Sequence, residues 1–564
     1  MKHLLFPLFM FMMISSLISQ TYNKLYIPDT LNGSTFSLTI KDTFTQMRTG
    51  NQTITGAINN NTFWGPTLFV NKGDTVHMNV FNTLNDSTTL HWHGMHLPAV
   101  MDGGPHQVIP PGTSWHPFWK VTNNAATYWY HPHLHEMTME HLTKGIGGLI
   151  IVRDAEEAAL PLPRTYGIDD IPLVMTSRRF DGNNQFVVQD IAYGDYLYVN
   201  GTANAEYTIP KQVVRFRFLN AETERSYNIG FSDNRTFYVI GNDGGLLDAP
   251  VPVTRLHVAV GERYEILVDC TNDASGSSIN LMAYNANQPF GFPGGEPAQS
   301  GAFGSLLNNK DFGIVHFTIG NAMPNSISNI PTTLVKNTFP TINDAKTQQS
   351  LSVMGGVPGN PMPFHFTGGI FNINRIDKTI PMNDIQKWTI TNSNVFGHTF
   401  HIHDVQFKLV ARNGKADGVG AYESGWKDVL YLPRSENATF VAKFDDYADP
   451  IHPFMYHCHF SNHEDGGMMG QFVVTPPTSV QEMSINPDEF NVYPNPAENR
   501  LFIESNGKEI YYVSIINILG KTVMMLPQPE ISKGIDISAL PKGSYTIIIT
   551  EKNTKSLVTK QFVK

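Results

Sequence analysis

The chain has little from which to build a covalent framework. Only two of its 564 residues are cysteines, Cys270 and Cys458, so no disulfide framework can be read from it. It also lacks positive charge: 39 Lys and Arg stand against 49 Asp and Glu, the net charge is −10 and the pI is near 6.1. That balance argues against nucleic acid as a partner and offers no basic patch to an anionic membrane. No apolar run is long enough for an integral membrane segment. The longest, Leu4 to Ile14, is too short to span a bilayer comfortably. Flanked by Met1-Lys2-His3 and by small residues up to Gln20, it reads as a secretory signal peptide over 1–20.

Long 3.6-residue periodicity is almost absent. Short strand-like runs separated by Gly, Pro, Asn and Asp predict an all-β chain. At this length, three or four domains are expected. Val76, Met78 and Val80 alternate with polar residues, as do Val214, Phe216 and Phe218, and Trp388 and Ile390. Period-2 patterning marks half-buried strands. Each of these runs is followed by an asparagine turn, at Asn82, Asn220 and Asn392, and Ile-Pro precedes two of them, at 209–210 and 380–381. These features predict one β-sandwich repeated three times.

The residues with chemistry begin at His457-Cys458-His459, followed by His463 and Met468. Two imidazoles, one thiolate and a weak axial methionine are the ligands of a blue-copper site. Cys458, His463 and Met468 supply three of the four, and Met469 is a rival for the axial place. On a strand the neighbours of Cys458 point away from it, so His457 and His459 could serve a second metal centre behind the first. His-X-His recurs at His91/His93, at His131/His133 and within His398-Thr399-Phe400-His401-Ile402-His403. Residues i and i+2 on a strand share a face, and one such pair is unremarkable. Four pairs, one bracketing a cysteine, are not. Ten of the 21 histidines fall in these motifs.

In these motifs, over roughly residues 35 to 475, the chain resembles a three-domain multicopper oxidase, the family of laccases and bacterial cuprous oxidases. The resemblance implies three consecutive cupredoxin-like Greek-key sandwiches and four copper ions. His398, Cys458, His463 and Met468 match the type 1 ligands. His91 and His401 match type 2. His93, His131, His133, His403, His457 and His459 match the type 3 pair. The trinuclear cluster is then expected between the first and third sandwiches. The second sandwich, without a histidine pair, is expected to be a spacer that can also shape the substrate face. Asp102 and Glu464 stand in the family's proton-relay positions, and carboxylates there suit a reaction that consumes protons.

The family couples one-electron oxidation of a reductant at type 1 copper to four-electron reduction of O2 to water. Its cuprous oxidases carry an acid and a methionine before the His-X-X-His-X-His motif and a methionine-rich insert over the type 1 edge. Here Asn394 and Phe396 occupy those places, and residues 320 to 365 hold few methionines. The resemblance therefore favours a laccase-like enzyme for phenols or aromatic amines. A cuprous oxidase taking Cu(I) for copper tolerance is the alternative. A copper-free scaffold would need missing ligands, and none is missing. A simple electron carrier would leave the type 2 and type 3 histidines without purpose.

From about residue 487 the texture changes. Tyr493-Pro494-Asn495-Pro496, a Leu519-Gly520-Lys521 turn and Gly543-Ser544-Tyr545 punctuate short strand-like runs. This small β-sandwich resembles the C-terminal sorting domains read by type IX secretion machinery, which implies export through the outer membrane, to the cell surface or the medium. The expected division is signal peptide 1–20, sandwiches 21–157, 158–335 and 336–478, linker 479–490 and sorting domain 491–564. Cys270, in the strand-like run from Tyr264, is expected to be a buried structural thiol. His135, Met137, Met139 and His141 are expected at the surface in a short helical or irregular stretch.

Overall fold

The computed structural model describes residues 21–188, 193–297, 304–356, 363–476, 490–505, 507, 510–518, 522–527, 529, 531–551 and 557–564. The expected signal peptide and nearly all of the expected linker lie outside them. The chain forms two compact units, 1–476 and 477–564, and both are built of β-sheet.

In the larger unit a five- and a four-stranded sheet are followed by a seven- and a six-stranded sheet, then by a six- and a five-stranded sheet. Three hydrophobic cores follow the same division, around Leu38, Val80 and Tyr130, around Phe216, Ile266 and Phe317, and around Trp388, Phe440 and Tyr456. The expectation of three cupredoxin-like sandwiches holds. One crossing strengthens the assembly: Asn23–Lys24 pairs in parallel with Ala205–Glu206 of the second sandwich.

The asparagine repeat has a physical cause. The strands Thr75–Asn82, Val213–Asn220 and Asp384–Asn392 each pair in parallel with an earlier strand of their own sandwich. Each ends on a buried asparagine whose Oδ1 accepts the N–H two residues on, from Leu84, Glu222 and Asn394. Each Nδ2 donates to carbonyls across the turn: Asp86 and Ile109, Arg225 and Val258, Phe396 and Leu432. A short amide that imitates a backbone turn satisfies groups that burial would otherwise orphan.

One patterning expectation is corrected. Val213–Asn220 is buried on both faces, not one. Its polar alternates, Arg215 and Arg217, face the first sandwich. Arg217 Nε and Nη2 donate to Asp170 at 2.6 and 2.9 Å, its Nη1 donates to Glu265 and Thr127, and Arg215 pairs with Glu157 and Glu265. The alternation marks a polar seam between sandwiches rather than a solvent face. Cys270 is buried in the second core, and burial pushes its thiol up to about 12.

The smaller unit holds a three- and a four-stranded sheet around Phe490, Leu501, Val513, Ile515, Ile547 and Phe562. No helix among the described residues is long and apolar enough to cross a membrane.

Candidate metal centre

The strand Asp449–Cys458 lies antiparallel to His398–Ile402, with Cys458 opposite Phe400 and His457 opposite His401. That register puts donors on both faces of one strand pair. On one face Cys458 Sγ lies 3.7 Å from His398 Nδ1 and 3.6 Å from His463 Nδ1. Metal bonds of about 2.0 Å to nitrogen and about 2.3 Å to sulfur, opened to a trigonal angle, separate the two atoms by about 3.7 Å. Burial pushes the Cys458 thiol up to about 12 and His398 down to about 3. Both are therefore neutral unless a cation sits between them. Met468 packs beside Cys458 and Phe460, whereas Met469 packs with Phe371 and Met455 in a separate cluster. Phe364 covers the imidazoles, its ring 4.3 Å from that of His463 and 4.9 Å from that of His398.

On the other face eight buried imidazoles converge. An antiparallel bridge between His91 and His131 joins two of the motifs. The outward nitrogens set the tautomers. Nδ1–H donates to Asp102 O from His91 (2.9 Å), to Pro132 O from His131 (2.8 Å), to Asp428 O from His401 (2.8 Å) and to Cys458 O from His457 (3.1 Å). A carbonyl only accepts, so each of these rings presents a bare Nε2 inward. His403 and His133 do the same against carboxylates, with Nδ1 at 2.7 Å from Asp102 Oδ2 and 3.1 Å from Glu464 Oε1. His93 is reversed. Its Nε2 lies 2.9 Å from Arg263 Nη1 and 3.2 Å from Asp428 Oδ1, and its Nδ1 turns inward.

The inward nitrogens fall into three groups. His93 Nδ1 lies 3.4 Å from His131 Nε2 and 3.2 Å from His459 Nε2. His133 Nε2 lies 3.2 Å from the Nε2 atoms of both His403 and His457. His91 Nε2 and His401 Nε2 are buried without a hydrogen-bond partner. Burial, and then the neighbouring imidazoles, hold His93, His131, His401, His403 and His459 well below their ordinary values. These five rings are thus neutral, as a metal ligand requires, whereas Glu464 and Asp102 push His133 up against its burial. Orphaned buried nitrogens facing one another are costly unless something electrophilic lies among them.

Both expected relay carboxylates touch this set. Asp102 bonds His403 and lies 3.4 Å from His91 Nδ1 through its other oxygen. Glu464 lies 3.1 Å from His133 and 3.3 Å from His457, and takes the Thr138 hydroxyl at 2.7 Å. Burial works against its charge, but His133 and His457 outweigh it and hold Glu464 well below the usual range.

Other histidines are occupied elsewhere: His96 with Asp446, His106 with Gln471 and His116 with Asn79. The expected surface position of the stretch behind His133 is corrected. Thr138–Thr143 is a helix with Met139 and His141 buried. Asp465 docks it by accepting from the backbone of Thr138 and Met139. His141 meets Thr88 Oγ1, and burial pushes it down to about 4. Sequence reasoning missed Asp428, Arg263 and Phe364. The available signal was Lys427-Asp428, a charged pair inside an apolar run, and Arg263 at the head of another.

Sandwiches that bring a thiolate–imidazole set and a buried imidazole cage back to back define a copper-dependent oxidoreductase. Comparison with known proteins agrees. Residues 40–157, 164–288 and 342–478 each match a multicopper oxidase family, and 491–564 match the secretion system C-terminal sorting domain. The chain is 32% identical to the cell division protein FtsP of Xenorhabdus nematophila, over 74% of this chain and 84% of that protein. It is 30% identical to the multicopper oxidase mco of Staphylococcus haemolyticus, over 74% and 83%. The structure of a bacterial laccase-like multicopper oxidase, CueO from Ochrobactrum sp., superposes with a TM-score of 0.71 at 31% identity, covering 80% of this chain and all of that one. The chain belongs to the multicopper oxidase family and carries a C-terminal sorting domain.

Proposed function

We propose that the protein is an exported laccase-like oxidase that takes electrons from phenols or aromatic amines and reduces O2 to water. Four copper ions would be held. His398, Cys458, His463 and Met468 hold the type 1 ion. His91 and His401 hold type 2. The sets His93/His131/His459 and His133/His403/His457 hold the type 3 pair. The observation that carries the reading is the division of the inward nitrogens into these three groups directly behind Cys458. Copper, when bound, supplies single-electron acceptance at the thiolate set and multi-electron delivery to O2 at the cage.

The residues do the rest. Cys458 and its flanking histidines join the two sets through one short stretch of backbone. Carbonyl and carboxylate acceptors hold the Nδ1 protons of the cage imidazoles and aim their Nε2 atoms inward. Asp102, at Oδ2, and Glu464, at Oε1 and Oε2, hold the ring protons and are the groups placed to pass protons toward O2. Phe364 on the His463 imidazole offers an aromatic reductant a ring to stack against, and Asn394 and Phe396 stand where a cuprous oxidase would carry an acid and a methionine. The related Ochrobactrum enzyme is described as acting on lignin model compounds and lignosulfonate. We assign 21–157, 158–335 and 336–478 to the three sandwiches and 491–564 to type IX export, after removal of a signal peptide at 1–20.

The test is oxygen uptake by the copper-loaded mature protein, with Cu(I) and a methoxyphenol offered separately and Cys458→Ser as control. Fast uptake with the phenol and little with Cu(I) is expected. The reverse would make it a cuprous oxidase. Four bound coppers with no uptake from either would overturn the phenol reading.

A further inference from the structure

The second sandwich contains no copper donor, yet its arginine is built into the cage. Arg263 is fully buried and spends all five of its N–H groups. Nε donates to Thr127 O at 3.2 Å. Nη1 donates to Gly261 O at 3.0 Å and to Asp428 Oδ1 at 2.6 Å, and lies 2.9 Å from His93 Nε2. Nη2 donates to Asp243 O at 2.9 Å and to Asp428 Oδ2 at 2.6 Å. Those acceptors come from all three sandwiches. The Asp428 carboxylate is therefore gripped at both oxygens by a planar fork that has no rotational freedom left.

Asp428 in turn holds two cage rings of different kinds. Its backbone carbonyl takes His401 Nδ1–H at 2.8 Å, and its Oδ1 faces His93 Nε2 at 3.2 Å. The same loop of the second sandwich presses on a third ring. A Cβ on Gly261, whose φ is +82°, would meet His459 Cδ2 at 2.8 Å. Next along the chain from Asp428, Lys427 is anchored by Asp243 and Glu262, each at 3.0 Å.

We propose that Arg263 is a positioning residue for the trinuclear copper set, fixing the orientation of His401 through Asp428 and the reversed orientation of His93 both through Asp428 and by direct contact. The expected role of the second sandwich as a spacer is replaced: it is the outer wall of the cage. This rests on the copper assignment above. Partners of metal-bound histidines are worth roughly 10–100-fold in metal affinity or activity when lost, and Arg263 supports two such histidines at once. Lysine keeps the charge but has three donors on a point ammonium, so it cannot reproduce the bidentate grip.

The experiment compares wild-type, Arg263→Lys, Arg263→Met and Asp428→Asn holoproteins by copper per chain, type 1 blue absorbance, the electron paramagnetic resonance signal of type 2 copper, and oxygen uptake. Arg263→Lys is expected to keep the blue absorbance per chain. Its type 2 signal should shift or lose intensity, and oxygen turnover should fall roughly 10-fold or more with the KM for the reductant unchanged. Asp428→Asn should show the same signature, and Arg263→Met a stronger one. An unaltered type 2 signal and unaltered turnover in Arg263→Lys would overturn the proposal. So would parallel loss of blue colour and type 2 signal in Arg263→Lys and Asp428→Asn, because that pattern is general collapse. If the wild-type protein held only the type 1 ion, the failure would lie in the copper assignment itself.

Discussion

Replacing Glu464 with glutamine changes one atom and almost no volume, yet it should disable the cage. Glu464 Oε1 takes the Thr138 hydroxyl at 2.7 Å and lies 3.1 Å from His133 Nδ1, while Oε2 lies 3.3 Å from His457 Nδ1. A carboxylate only accepts, so both imidazoles must carry their proton on Nδ1, and both Nε2 atoms, 3.2 Å apart, are left bare. Glutamine replaces one acceptor with a donor. One of the two histidines must then put its proton on Nε2, toward its partner, or leave a buried donor facing a donor. The lost bond is charge-assisted and buried, worth about 1.5–3 kcal/mol, which is roughly 10–150-fold at about 1.4 kcal/mol per decade. The assay is oxygen uptake at saturating reductant, with copper per chain and blue absorbance measured on the same samples. Glu464→Gln should keep its blue colour and its KM for the reductant while turnover falls roughly 10–100-fold. Turnover within about twofold of wild type, at full copper, would refute both the tautomer argument and the relay role.

Gly261→Ala should lower the melting temperature and the oxygen turnover together, because φ +82° costs a side chain about 1 kcal/mol or more and the added Cβ strikes His459. Methionine identity is readable from colour: Met468→Leu should shift the blue band and raise the type 1 potential, whereas Met469→Leu, altering a cluster with Phe371 and Met455, should leave both unchanged. In acid the seam between the first and second sandwiches should loosen. Burial would raise Glu265, but Arg215 and Arg217 hold it down at about 2. A depressed carboxylate stabilises fully above its unfolded value near pH 4.5 and loses that contribution as pH falls toward 2. The full contribution is about 3 kcal/mol, of which about 2 kcal/mol is lost between pH 6 and pH 3, and urea midpoints measured over that range should fall accordingly. Asn220→Leu, which strands the N–H of Glu222 and the carbonyls of Arg225 and Val258, should cost about 2–4 kcal/mol by denaturant titration.

Much of the fold was legible because its signals are local. Alternation, the asparagine turns and the Ile-Pro dipeptides act over a few residues, and each is answered by a buried asparagine that closes a turn. The failures were of context. Arg215 and Arg217 look like solvent-facing alternates until neighbouring strands supply Asp170 and Glu265 and the first sandwich supplies Glu157 and Thr127. His141 and Met139 look like surface residues until Asp465 docks their helix. Asp428 has no flanking histidine and no motif, so nothing along the chain marks it as the residue that orients His401.

By itself the sequence determined the kinds of donor and their order along the chain. A thiolate bracketed by imidazoles, with His-X-His pairs elsewhere, has few chemical uses, and strand periodicity fixes which neighbours share a face. Only the tertiary structure decided which nitrogen of each ring faces inward, how the eight rings divide into groups, and that the sandwich without donors supplies the clamp. Those depend on acceptors hundreds of residues away, such as Asp102 for His403 and Glu464 for His133. A proton's place on an imidazole is set by what lies across a hydrogen bond, and no local pattern records that.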